Sequence, residues 1–113
     1  MVSQKDIIKQ CKYLIDVFDL QGIKEYYLEL TNTNFDYDVN MGYIFKTIFF
    51  YSCKKGNKPI IEWLMELYEA FDETTKIALR QMFFYGKYVI IRNKHKKLVK
   101  WYETTILPPI RCK

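Results

Sequence analysis

Apolar residues recur every three or four positions in several stretches of this chain, and short polar segments separate those stretches. This period is typical of amphipathic α-helices, because one side of a helix faces the core about every 3.6 residues. Ser3 followed by Asp6 predicts the first helix start, since a serine hydroxyl caps the free N–H groups of the opening turn. Asp72 or Thr74 is expected to open the fifth helix in the same way. The pattern therefore predicts an all-α fold.

The helices are expected to pair into two or three stacked hairpins, roughly 3–30, 44–71 and 75–106, within one helical domain spanning 1–113. Pro59 suits the first turn of a helix, where the missing N–H is unused. The apolar positions predicted for the fifth helix are Ile77, Leu79, Met82 and Phe83. The pair Pro108-Pro109 is expected to end regular structure.

Internal repetition supports the hairpins. Segment 22–30 matches segment 59–67, and segment 97–103 matches again after nearly the same interval. Trp63 and Trp101 fall at equivalent positions, and we expect both to be buried. A fixed period in this range is typical of stacked helical hairpins. A rival register places a turn at Gly86, which would make the fold an irregular helical bundle instead.

Segment 52–64, with the sequence SCKKGNKPIIEWL, resembles the hairpin of an ankyrin repeat. Two small residues close the first helix, a glycine turn follows, and an isoleucine pair opens the second helix. Segment 91–101 resembles the same stretch, with His95 where the family often has histidine and Lys94 in place of the usual glycine. The composition is closest to the divergent ankyrin repeats, rich in Lys, Ile and Tyr, that are abundant in giant viruses of amoebae.

The resemblance covers residues 44–105 and, more faintly, 7–30. The Thr-Pro-Leu-His opening of the family is absent, apart from Thr47, and the family's period of about 33 residues is shorter than the interval between the matching segments here. The resemblance implies a viral module for protein–protein interaction or scaffolding, which binds through helix faces and loop tips and performs no catalysis.

The residues themselves favour no enzyme. His95 is the single histidine, and no carboxylate is near it in sequence to orient it for catalysis. The three cysteines, Cys11, Cys53 and Cys112, lack the spacing of a zinc site. Segment 36–40 resembles the start of a calcium loop, but the glycine and glutamate required later in that loop are missing. We therefore predict no catalytic residue, no metal site and no cofactor.

The cysteine count is odd and low, which argues against a disulfide framework, and the N-terminal residues show no signal-peptide pattern. No apolar run approaches the roughly 20 residues that a membrane span needs. We therefore expect an intracellular protein without a membrane partner, in the host cytoplasm if it is viral, with the nucleus as an alternative.

The net charge is +5, and all of the excess lies in residues 57–113. Arg92, Lys96 and Lys100 are four residues apart, which predicts one shared helix face, and Lys97 lies beside them. This basic face is the predicted partner-binding site. A protein partner is the first expectation, with two alternatives: a small basic nucleic-acid-binding protein, and a homo-oligomer. A face that only keeps the protein in solution would look the same in sequence.

Overall fold

Helices account for almost all of the described chain. The computed structural model describes residues 3–32 and 40–111, and among these residues there is no β-strand. The helices are α1 (Gln4–Asp16), α2 (Leu20–Thr31), α3 (Met41–Lys55), α4 (Lys58–Glu69), α5 (Glu73–Arg92), α6 (Lys96–Trp101) and α7 (Leu107–Arg111), and a π-helical turn (Tyr102–Ile106) joins α6 to α7. The predicted all-α fold is confirmed.

A polar side chain opens each of the first five helices by accepting a hydrogen bond from a backbone N–H three residues later. These capping residues are Ser3, Asp19, Asn40, Asn57 and Asp72. Each cap satisfies a donor that the first helical turn leaves without a partner. The helix starts expected at Ser3 and Asp72 are confirmed, and Pro59 lies in the first turn of α4 as expected.

Three turns of the same design connect α1 to α2, α3 to α4 and α5 to α6. Phe18, Gly56 and Lys94 all have left-handed backbone, with φ of 55°, 66° and 64°. In each turn this residue donates its N–H to the carbonyl three residues back, and the next residue donates to the carbonyl five residues back. These are the bonds of a helix C-terminal motif with a left-handed residue. The numbers of the three left-handed residues show that the turns are equally spaced along the chain.

This register differs by one residue from the match between 22–30 and 59–67, because the turns make Gly22 equivalent to Ile60 rather than to Pro59. The rival turn at Gly86 is wrong, since α5 runs unbroken through that position. Gly86 is instead a point of close approach. A Cβ there would lie 2.5 Å from the Tyr102 hydroxyl and 2.8 Å from the Phe49 ring.

The first helices of the hairpins, α1, α3 and α5, pack side by side with α3 in the middle, and we call them the first-helix layer. The second helices, α2, α4 and α6, form the second-helix layer. In it the Tyr27 ring meets the Trp63 ring edge-on at 5.7 Å, and the Lys58 ammonium lies 5.1 Å from the centre of the Trp101 ring. The arrangement is therefore three helical hairpins in sequence order.

The core fills the space between the two layers. Phe83 of α5 packs against Phe49 of α3 at 4.9 Å and against Tyr68 of α4 at 4.6 Å between ring centres. The Tyr102 hydroxyl donates a hydrogen bond to the Phe83 carbonyl. The expectation that Trp63 is buried is confirmed, whereas Trp101 is only half-buried.

Two predictions about individual residues are wrong. Ile77 is 72% exposed rather than a core residue, because it lies on the side of α5 opposite to the buried Leu79. Pro108 and Pro109 do not end the chain's helical structure, since α7 passes through both. They lie in the first turn of α7, where the missing N–H groups remove no hydrogen bond within that helix.

Candidate partner-binding face

The four basic residues predicted to bind a partner do not share one helix. Arg92 is the last residue of α5, and α6 begins only at Lys96. The turn between them reverses the chain, with Lys94 in left-handed backbone. Spacing four residues apart places side chains on one face only within a continuous helix. The predicted single face is therefore wrong, although all four side chains are exposed.

The structure divides the four residues between two places. Lys96 and Lys97 line a shallow pocket of about 370 Å³ at the turn after α5, together with Gly56 and His95. Lys100 follows on the exposed side of α6. Arg92 instead lines a groove on the surface of the first-helix layer.

His95 and Asn57 tie each turn to the hairpin before it. The His95 Nε2 atom lies 2.7 Å from the Lys54 carbonyl oxygen, and the ring covers Gly56 so closely that a Cβ there would lie 2.6 Å from Nδ1. The equivalent residue one turn earlier, Asn57, is buried and donates its amide N–H to the Ile15 carbonyl at 3.0 Å. The one histidine of the chain therefore makes its described hydrogen bond in a structural contact between the third hairpin and the second.

The groove that contains Arg92 has a volume of about 400 Å³. It is lined by all three helices of the first-helix layer and by the turn after α5. We call it the basic groove. Its lining residues are Lys12, Thr47, Phe50, Tyr51, Lys54, Val89, Arg92 and Asn93. Three cations thus surround an aromatic and apolar floor, and no carboxylate is among these lining residues.

The Tyr51 side chain contacts charged residues of both α1 and α3 at the basic groove. The Lys12 and Lys55 ammonium nitrogens lie 5.1 Å and 5.4 Å from the centre of its ring, within the range of cation–π attraction. Its hydroxyl donates a hydrogen bond of 2.7 Å to Asp16, which also lies 3.5 Å from the Lys55 ammonium. Removal from water, followed by the hydrogen bond to Asp16, raises the pKa of Tyr51, so the phenol stays neutral.

Charge is distributed unequally between the layers. Helices α1, α3 and α5 carry ten Lys or Arg residues against three acids, a net of +7. Helices α2, α4 and α6 carry five lysines against five glutamates, a net of zero, because the three lysines of α6 offset the net of −3 on α2 and α4. A surface with this much charge of one sign attracts an oppositely charged partner over several ångströms and speeds encounter.

Exposed tyrosines are concentrated in the same layer. Tyr13, Tyr43, Tyr85 and Tyr88 are each more than half exposed, and all four belong to α1, α3 or α5. Tyrosine supplies a large contact area at a small entropic cost, and tyrosine and arginine are enriched in protein interfaces. The uncovered surface of the first-helix layer, which we call the first-helix face, is therefore the strongest candidate for binding.

Reactive or metal-binding groups are not gathered in the described part of the chain. Cys11 and Cys53 are buried, and burial raises the pKa of the Cys11 thiol to about 12 and that of Cys53 further still, so neither is an activated nucleophile. Over residues 3–32 and 40–111, no three His, Cys, Asp or Glu side chains come together as a metal site. Of the calcium-like segment, residues 36–39 lie outside the described residues, as does Cys112, and Asn40 caps α3.

Sequence reasoning missed the basic groove because its residues come from positions 12 to 93 of the chain. One signal was present: Lys54 and Arg92 are separated by the same interval as the turns at Gly56 and Lys94, and so occupy the same place in two successive hairpins. The charge count by itself pointed to the C-terminal half of the chain, because the lysines of α6 and of the turn before it lie there.

Among the described residues, no helix has both the length and the mean hydropathy required to cross a membrane. No protein-family model, curated protein or solved structure matches the chain.

Proposed function

We propose that this chain is a non-catalytic module for protein–protein interaction or scaffolding, which binds its partner on the first-helix face. The observation that carries the proposal is the coincidence, in one layer of helices, of a net charge of +7 with four exposed tyrosines. Folding stability does not require this combination, since exposed charges and rings contribute little to it. A binding surface does benefit from it.

The three hairpin turns also support the proposal. Their equal spacing and their shared hydrogen bonds are what a chain of repeated hairpins would have, in line with the resemblance to divergent ankyrin repeats. Each hairpin of a repeat stack covers only its neighbours and leaves an extended surface free for a partner. The two buried free thiols suit an intracellular, reducing compartment, as expected for a viral protein inside a host cell.

A capture experiment from a lysate of the host cell, or of an amoeba, tests the proposal. The bait is the wild-type chain, and the test variant carries Lys9→Glu with Lys46→Glu, both on exposed positions of the first-helix face. A matched control carries Lys97→Glu with Lys100→Glu, which changes the net charge equally on α6. Partners that survive nuclease treatment, bind the control and are lost with the test variant support the proposal. Equal capture by all three baits contradicts it.

A small basic nucleic-acid-binding protein is the second candidate, and the exposed tyrosines among lysines are the observation that favours it. Bases of a single strand stack on exposed aromatic rings while lysines contact phosphates. A salt titration with oligothymidylate tests it, because the logarithm of a phosphate-driven affinity falls linearly with the logarithm of salt concentration. Loss of all captured partners after nuclease treatment would favour this candidate over the first.

A further inference from the structure

We infer that the basic groove binds an acidic segment of a protein partner, in which carboxylates flank an apolar side chain. The inference rests on the proposed function and adds the chemistry of the partner to it. Lys12, Lys54 and Arg92 would receive the carboxylates, and the floor at Phe50 and Val89 would receive the apolar side chain.

The charges of the groove are uncompensated. Among the described residues, Lys12, Lys54 and Arg92 form no ion pair. Asp16 is the acid tied to the groove, and it already accepts the Tyr51 hydroxyl and pairs with Lys55. Three cations from three helices around one concave site therefore favour an anionic ligand, and arginine offers a paired donor geometry that matches a carboxylate.

The floor of the groove favours a carboxylate-bearing peptide over a nucleic acid. Base stacking requires an exposed ring face. The Tyr51 ring already interacts with the Lys12 and Lys55 ammonium groups, and the half-buried Phe50 packs edge-on against Phe49 at 5.7 Å. The exposed tyrosines of the layer lie outside the groove lining. An apolar side chain needs only an apolar floor, which these residues supply.

The size of the basic groove fits one side chain of a partner and its neighbouring residues rather than a whole domain. The groove holds about 400 Å³, a size within the range of sites that bury small ligands or single anchoring residues. An extended or helical peptide segment can place one apolar anchor in such a site and an acid on either side of it.

The test uses a fluorescein-labelled peptide in which glutamates flank a leucine–phenylalanine pair. The groove variant carries Lys54→Glu with Arg92→Glu, and the matched control carries Lys97→Glu with Lys100→Glu, with the same change in net charge. We expect the wild type and the control to bind alike and the groove variant to bind at least about tenfold more weakly. Replacing the peptide's glutamates by glutamines should weaken binding to the wild type by a similar factor.

Three results would overturn the inference. The first is no binding of the peptide to the wild type, and the second is equal weakening in the control. The third is tighter binding of the wild type to oligothymidylate of the same charge than to the peptide, together with loss of that oligothymidylate binding in the groove variant. Circular dichroism melts check that the groove variant folds, and Lys54→Gln with Arg92→Gln, which introduces no repulsion, replaces it if it does not. The proposed function fails separately. It depends on capture by the wild type and loss with Lys9→Glu and Lys46→Glu, neither of which lines the groove.

Discussion

The two layers of this protein carry similar apolar interiors but different exteriors. The first-helix layer has a net charge of +7 and four exposed tyrosines, whereas the second-helix layer (α2, α4 and α6) has a net charge of zero and no tyrosine that is more than half exposed. Both layers bury isoleucine, leucine and aromatic side chains against each other. Folding requires only the shared interior, so the difference between the exteriors is where a binding function would be expected.

The acidic and basic residues are ordered differently along the chain and in the folded protein. From α1 to α5 the net charges of successive helices alternate in sign, α6 is basic like α5, and residues 1–56 cancel to zero. Because the hairpins stack in register, the basic first helices come to lie together and α2 and α4 come to lie together. A chain whose charges are mixed in sequence thus acquires one strongly basic layer of helices beside a layer that is neutral in total. Five predictions test whether the layers differ as described, from the largest expected effect to the smallest.

Replacing Trp63 by alanine should lower the free energy of unfolding by about 3–5 kcal/mol, because the ring is buried between α2 and the core. Replacing Trp101, its equivalent one hairpin later, should cost only about 1–2 kcal/mol, because that ring is half-buried. Urea unfolding measures both. Equal costs would mean that the third hairpin packs as tightly as the second.

Replacing Asn57 by alanine should cost about 2–3 kcal/mol in urea unfolding, because the Ile15 carbonyl and the Ile60 N–H would both lose a buried partner. The matched change His95→Ala, at the equivalent turn, should cost less than half as much, since His95 is more exposed and makes one such contact. A larger effect at His95 would show that the third turn, rather than the second, ties the hairpins together.

Alkaline pH should destabilise the seam between the layers. Burial raises the pKa of Cys11 from 9.0 to about 12, and it raises those of Cys53 and Tyr102 further. Raised pKa values stabilise the folded state fully below the unfolded values of 9.0 and 10.0, and this stability is lost as pH rises above them. The free energy of unfolding should fall from about pH 9 upward, by up to about 1.4 kcal/mol per pH unit for each group.

The pH series is measured by urea unfolding between neutral pH and about pH 11. The variant Cys53→Ala should show a shallower decline than the wild type, because one of the three groups has been removed. A decline of equal slope in this variant would assign the alkaline sensitivity to other groups.

Replacing Gly86 by alanine should cost about 1–3 kcal/mol, because the added methyl group would overlap the Tyr102 hydroxyl and the Phe49 ring where the layers meet. Gly42 is a control in the first turn of α3, where the nearest obstacle to a Cβ is the Asn40 amide oxygen at 3.3 Å. Gly42→Ala should change stability by less than about 1 kcal/mol. Thermal melts compare the two, and a neutral Gly86→Ala would refute the close approach.

The smallest effect is expected for Lys96→Glu with Lys100→Glu. Both side chains are exposed and form no ion pair among the described residues, so the free energy of unfolding should change by less than about 0.5 kcal/mol. Chemical denaturation beside the wild type measures the change. A loss several times larger than this would give α6 a structural role in place of a solubilising one.

Local rules determined much of the fold from the sequence. The Ser3 and Asp72 caps, the glycine turn at Gly56 and the placement of Pro59 each depend on a few neighbouring backbone groups. Such groups must find hydrogen-bond partners wherever the chain folds, and short polar side chains supply them. The all-α class and the starts of α1, α4 and α5 could therefore be predicted.

Tertiary structure decided the features that have no local signal. The turns at Phe18 and Lys94 use left-handed residues other than glycine, which propensity alone does not favour, and only the family resemblance indicated the one at Lys94. The exposure of Ile77 and the approach of Tyr102 to Gly86 depend on the phase of α5 against its neighbours. The spacing of residues along the sequence contains no information about these contacts between distant segments.

The basic groove is also a feature that only the tertiary structure decided. The sequence by itself determined that the chain is basic, but its charge count pointed to residues 57–113 rather than to α1, α3 and α5. Only the stacking of three hairpins brought Lys12, Lys54 and Arg92 to one groove, because each belongs to a different hairpin and they meet through the packing of α1, α3 and α5. A helix face is a local property of one segment, whereas a groove between helices is a property of how buried side chains lock those helices together.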